Sequence, residues 1–195
     1  MIAVARLSLI IVVVASSVPD RAVAQNMMSA GSGSSGSHLL SNDAAVLEIE
    51  DIKKDLPCSV TSVKPVMGFD LKFHSGYDIT LPLRELAGEG GNLTIVLKVT
   101  PESAKDTPVY FSQRYNVPDI DDEARGDAFL QGSFDIGEGN YHVMWMMRDK
   151  QERVCSSAWD IVASLPAKDQ AIRMPIAASI TPATWASSRW LSLRK

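Results

Sequence analysis

The sequence predicts an all-β domain over residues 56–164, an antiparallel immunoglobulin-like β-sandwich of seven to eight strands with a disordered N-terminal linker and C-terminal tail. Three observations carry that expectation. Short runs in which apolar and polar residues alternate recur along this stretch, and a period of two puts one face of a strand in a core. Turn-forming Gly, Pro, Asn and Asp separate the runs. The strand count over roughly a hundred residues has the size and rhythm of an immunoglobulin-type sandwich.

Residues 1–24 read as a secretory signal peptide. Arg6 supplies the positive start and Leu7 to Ala15 an uncharged apolar stretch. Ala22-Val23-Ala24 has the small residues of a cleavage site, which puts the mature start at Gln25 in the periplasm or outside the cell. The apolar stretch is far too short to cross a hydrocarbon layer of about 30 Å as a helix, so no transmembrane segment is expected in the mature chain. Residues 25–43 are rich in Ser and Gly and nearly uncharged. Such a composition buries too little apolar surface to offset the entropy of ordering and reads as a flexible tether. Residues 44–55 fit a short helix or an edge strand through Val46-Leu47-Glu48-Ile49, and the pattern leaves both open.

The strands follow. Met67, Phe69, Leu71 and Phe73 alternate with Gly68, Asp70 and Lys72, and Tyr77, Ile79 and Leu81 with Asp78 and Thr80. Leu93, Ile95, Leu97 and Val99 line one apolar face, and Val109 to Val117 carries Phe111 and Tyr115 on a shared face. Phe134 and Ile136 precede Gly137-Glu138-Gly139-Asn140, after which Tyr141, Val143, Trp145 and Met147 alternate, a pattern that reads as a β-hairpin. Met144 and Met146 make the second face of that strand apolar too, so it is expected to lie centrally, buried on both sides. A last strand runs through Val154 to Trp159. Residues 165–195 form an irregular basic tail with Pro166, Pro175, Pro182 and no acidic residue after Asp169.

The chain carries a net charge of −4, and losing Arg6, Arg21 and Asp20 with the signal makes the mature protein one charge more acidic. Non-specific nucleic-acid binding needs clustered Lys and Arg, so that class is excluded. Cys58 and Cys155 are the two cysteines, and an even count in an exported chain reads as a disulfide. Neither belongs to a Cys-x-x-Cys pair, which leaves redox catalysis and zinc binding by thiolates unsupported.

The residue patterns that usually carry chemistry are thin. Asp119, Asp121, Asp122, Glu123 and Asp127 offer oxygen ligands for Ca²⁺, but their spacing does not fit an EF-hand and the run reads as a solvated loop. Arg125-Gly126-Asp127 spells a cell-adhesion tripeptide by coincidence. His74, placed just before a Ser75-Gly76 turn, and His142, opposite the apolar face of its strand, lack a third metal ligand, and no Gly-x-Ser-x-Gly elbow accompanies them. His142, Met144 and Met146 lie in line along one strand face, over about 13 Å, too spread to hold one copper ion. Gly88-Glu89-Gly90-Gly91 lacks the Lys and Ser/Thr of a phosphate loop. No residue is therefore assigned to catalysis, to a cofactor or to a metal.

The strings LPCSVTSVKPVMGFDLKFHSGYDITLPLRELAGEG, FLQGSFDIGEGNYHVMWMMRD and ERVCSSAWD resemble a group of uncharacterised exported proteins of Acidobacteria. They span about half of the precursor. The resemblance implies export and an N-terminal β domain, followed in the relatives by a larger α/β domain, and it implies no chemistry. The likeness ends near Lys168, so the tail reads as the product of a truncation or frame shift. The expected function is an exported non-catalytic β-sandwich module for protein–protein interaction, the accessory domain of a longer protein, with an unidentified protein partner. The alternative is a loop-built ligand-binding protein or hydrolase whose site is invisible in one dimension.

Overall fold

The structure, a computed structural model, describes residues 26–28, 40–169 and 180–182. The expected signal peptide, residues 1–24, lies outside these residues, as do most of the tether and most of the tail. The described strands are β1 (Asn26–Met28), β2 (Ser59–Met67), β3 (Phe73–Pro82), β4 (Gly91–Pro101), β5 (Val109–Val117), β6 (Asp127–Ile136), β7 (Gly139–Arg148), β8 (Val154–Ala163) and β9 (Ile180–Pro182), with one α-helix, α1 (Ser41–Ile49). All pairings are antiparallel. One sheet has the order β1-β5-β4-β7-β8 and the other β2-β3-β6-β9. Their inner faces pack as a β-sandwich.

The period-two pattern fills the space between the sheets. Tyr77, Ile79 and Leu81 from one layer meet Leu93, Ile95, Leu97, Val99 and Trp145 from the other, all buried. Aromatic pairs bridge the layers: Tyr77 and Trp145 have ring centroids 5.7 Å apart, and Phe111 stacks on Phe134 at 6.1 Å. The outer face of β7 is covered as well. Met144 and Met146 form a second buried cluster with Val96, Tyr110 and Leu47 of α1. Of residues 44–55, 44–49 lie in α1, which buries Asp43 and Leu47 on one face, and Lys54 forms an isolated bridge to Cys155. The helix is pinned near both ends. Arg148 Nε lies 3.0 Å from the Asp43 carboxylate, and both the Lys98 ammonium (2.7 Å) and the Tyr110 hydroxyl donate to Glu48. Glu50, in left-handed conformation, ends it.

Three expected details differ. Phe134–Ile136 and Tyr141–Met147 do not form a hairpin: β6 pairs with β3, whereas β7 pairs with β4 and β8, and Gly137-Glu138 carries the chain between sheets. A strand apolar on both faces needs a central position with a cover on each side, which pairing with β6 alone would not supply. The alternation over Met67–Phe73 is not one strand either. Gly68–Lys72 fold into a turn closed by Gly68 N–H to Lys72 O (2.8 Å) and Leu71 N–H to Gly68 O (3.1 Å), with Leu71 at φ 60°. Finally, Ser75 and Gly76 lie inside β3, so the turn precedes His74 instead of following it. At the margins, β1 pairs with β5 and β9 with β6, so parts of the expected tether and tail lie in the sheets.

Cys58, just before β2, is bonded to Cys155 in β8, with Cα atoms 6.3 Å apart. Both β2 and β8 are edge strands, so the bond clamps one sheet to the other along the same side of the sandwich. Leu56 N–H to Val154 O and Ser156 N–H to Lys53 O reinforce that seam. A separation of 97 residues makes the closed loop long. Reduction, or the Cys58→Ala/Cys155→Ala pair, is expected to lower the unfolding free energy by about 4 kcal/mol on chain-entropy grounds. Urea denaturation with and without reductant measures this, and an unchanged midpoint would rule the clamp out.

Candidate functional site

Sheet register builds one polar cluster. Val66, His74, Asp135 and Thr181 are successive partners across β2, β3, β6 and β9, and directly opposed residues share a face. The face is the outer one, since Phe73 and Ser75 on either side of His74 point inward. His74 Nδ1 lies 2.6 Å from Asp135 Oδ1, and its Nε2 lies 3.1 Å from Asp70 Oδ1 in the β2–β3 turn. The Asp135 side chain is 1 % exposed, and its Oδ2 accepts no hydrogen bond among the described residues, with the Lys72 ammonium 3.8 Å away. Asp70 is half exposed. A Cβ on Gly68 would fall 2.1 Å from His74 Nε2, so the ring seats against a backbone that only glycine supplies.

Both ring nitrogens therefore face a carboxylate oxygen. An imidazolium donates to both. A neutral ring donates to one, and the buried Asp135 selects Nδ1–H, which turns the Nε2 lone pair toward Asp70. Burial alone would raise the Asp70 carboxyl, but the Lys72 amide and His74 outweigh it and hold the group below its ordinary value. Lys98 and Tyr110 do the same for Glu48.

The remaining expected residues are distributed elsewhere. His142 repeats the dyad, with Nδ1 2.6 Å from Asp160 Oδ1 and Nε2 3.5 Å from Glu50 Oε1. It borders a polar groove of about 410 Å³ lined by Lys98, Glu102, Lys105 and Asp106. Met144 and Met146 are buried under α1, away from that groove. In the acidic loop, Asp119 accepts the Gly90 amide (2.7 Å) and Asp121 the Glu123 amide (2.8 Å). Gly126 takes φ 102° and its carbonyl accepts the Leu83 amide, which gives the Arg125-Gly126-Asp127 tripeptide a turn role before β6. Among the described residues, Asp70, His74 and Asp135 are the set of three metal-capable side chains whose ligand atoms lie within 4.8 Å of one another. Reading the two histidines as lacking a third ligand missed this set. Asp70 is visible in the sequence four residues before His74, but Asp135 lies 61 residues away and only the register brings it in.

An apolar patch adjoins the cluster. Val63 and Val66 on β2 and Phe69 in the turn are exposed, Phe69 completely. No protein-family model matches the chain, and neither a curated protein nor a solved structure matches it.

Gly68→Ala is expected to push His74 off its seat and to cost about 1–3 kcal/mol, as overpacking does. Chemical unfolding measures this, and a wild-type midpoint would show that the ring does not depend on the glycine. The pH dependence has a definite sign. Carboxyls held below their ordinary values lend stability that is complete above pH 3.8 for Asp70 and 4.5 for Glu48, and that is lost as pH falls through the lower folded values. Both groups are largely exposed, so each is expected to contribute only about 0.2–1 kcal/mol. Unfolding curves from neutral to acid pH should therefore decline less in Asp70→Asn and Glu48→Gln than in the wild type.

Proposed function

We propose that this chain is an exported, non-catalytic β-sandwich module that binds a partner protein through its β2–β3 turn, with Phe69 as the anchor. One observation carries the proposal: a phenylalanine stands fully in water on a turn that is already ordered. The turn is held by its own backbone bonds and by the Asp70–His74–Asp135 contacts. A preordered aromatic loses little conformational freedom on docking, and buried aromatics dominate interface energetics. Val63 and Val66 extend the apolar contact along β2. Strand addition at this edge is disfavoured, because the register shifts between Val63 and Val66 and Pro65 has no amide to donate. Side chains carry the contact, and the partner offers an apolar socket for Phe69.

The chain order supports an immunoglobulin-like form of the sandwich. In-sheet hairpins β2–β3, β4–β5 and β7–β8 are joined by connections that change sheet, setting β2-β3-β6 against β5-β4-β7-β8. Export is supported by the Cys58–Cys155 bond, which persists in oxidising compartments, and by the signal-like character of residues 1–24. The likeness to exported acidobacterial proteins points the same way, with this module as the accessory part of a longer protein.

Photo-cross-linking tests the contact. Benzoylphenylalanine is placed at position 69 or, as a control, at the exposed Val162 on β8, in cells that export the protein. A single discrete adduct at position 69, absent at 162, is expected. Phe69→Ser should leave the unfolding free energy within about 0.5 kcal/mol of wild type, as exposed substitutions do. Equal labelling at both positions, or labelling at 162 alone, would overturn the proposal.

A further inference from the structure

We propose that the β2–β3 turn is also a binding site for a divalent transition-metal ion, Zn²⁺ by its ligand chemistry, held between His74 Nε2 and Asp70 with Asp135 behind the imidazole. The site stands whether or not Phe69 meets a partner.

The spacing fits. Zinc lies about 2.0–2.2 Å from imidazole nitrogen and carboxylate oxygen, which places two tetrahedral ligand atoms about 3.3 Å apart. Nε2 and Asp70 Oδ1 are already 3.1 Å apart. An ion between them would take the Nε2 lone pair and a carboxylate oxygen as ligands without moving either group far.

Asp135 supplies the support that metal-binding histidines ordinarily have. Its Oδ1, 2.6 Å from Nδ1, fixes the tautomer and ring orientation that present Nε2 to an ion. Asp135 is itself held by the β3–β6–β9 register and by burial, so the imidazole cannot swing away. Its second oxygen accepts no hydrogen bond among the described residues, and Lys72, 3.8 Å off, is the cation paired with it. The Lys72 ammonium is paired with Asp135, and an ion beside Asp70 offsets the charge of the second carboxylate.

The donor set decides the class of ion. One imidazole nitrogen with carboxylate oxygen suits Zn²⁺, Co²⁺ or Ni²⁺, whereas Ca²⁺ and Mg²⁺ take oxygen ligands throughout. Asp70 is half exposed, so the remaining coordination positions open to solvent. His142 makes a control within the same molecule. It has the same Nδ1–carboxylate dyad with Asp160, but its Nε2 lies 3.5 Å from Glu50, wider than the 3.1 Å between His74 Nε2 and Asp70.

Calorimetric titration of ZnCl₂ into the untagged, disulfide-bonded chain at neutral pH tests the site. One ion per chain is expected, weakened more than tenfold in His74→Ala and Asp70→Asn and unchanged in His142→Ala. Asp135→Asn should weaken binding by about 10–100-fold, the usual effect of removing such an outer partner. Affinity should fall about tenfold per pH unit on acidification where one proton is displaced. Because a variant can fail to fold, the wild type is also titrated with Ni²⁺ while its histidine ring resonances are followed, and broadening confined to His74 is expected. No saturation up to about 1 mM, the weak limit of extracellular metal modules, would overturn the proposal. Broadening centred on a histidine other than His74 would do the same.

Discussion

Strand β7 has to be covered on both faces, and most of the structure answers to that requirement. Trp145 and its neighbours fill the space between the sheets, while Met144 and Met146 lie against Leu47 of α1. A strand of that composition is stable only in the middle of its sheet, so β4 and β8 flank it and the helix closes the outside. Its place beside β4 obliges the chain to change layers at Gly137-Glu138, leaving β6 to pair with β3. That pairing puts Asp135 opposite His74. The polar cluster on one sheet is thus a topological consequence of an apolar strand in the other.

The cluster carries its own energetic logic. A carboxylate buried as deeply as Asp135 is costly unless a partner compensates it, and His74 is the group at hydrogen-bonding distance. Holding the ring there brings its other edge against Gly68 and toward Asp70. A turn that might otherwise fray is tied to the sheet through one imidazole. Each member constrains the next: register places Asp135, Asp135 orients His74, and His74 meets the turn.

Much of the fold was legible in the sequence because period-two burial is a local signal. The faces of β3, β4, β5 and β7 could be assigned from alternation alone, and the pairing of Cys58 with Cys155 from their even number in a chain read as exported. The errors arose where a local pattern meets a non-local choice. Alternation over Met67–Phe73 continues in phase through a tight turn, so it does not reveal that the chain reverses. The glycines after Ile136 mark a change of direction but not whether the next strand stays in the same layer. The nine residues of α1 turn only Asp43 and Leu47 fully inward, too few to separate helix from strand by pattern. The candidate site was hidden for the same reason: His74 and Asp70 are near in sequence, but Asp135 enters through strand pairing.

The edge of the smaller sheet combines two properties that usually conflict. Exposed valines and a phenylalanine on an edge strand invite edge-to-edge association, yet the irregularity at Lys64-Pro65 disrupts the row of donors that such association uses. The apolar surface is thereby available to side-chain contact while strand addition is hindered. Its presentation depends on the order of the turn, which its own backbone hydrogen bonds and the contact between His74 Nε2 and Asp70 maintain. A proton or a metal ion there ties the turn to β3, and by linkage, whatever it adds to the affinity for a partner at Phe69, the partner adds equally to its own affinity. On the two proposals made above, occupancy of the polar cluster and occupancy of the apolar patch would be two sides of one equilibrium.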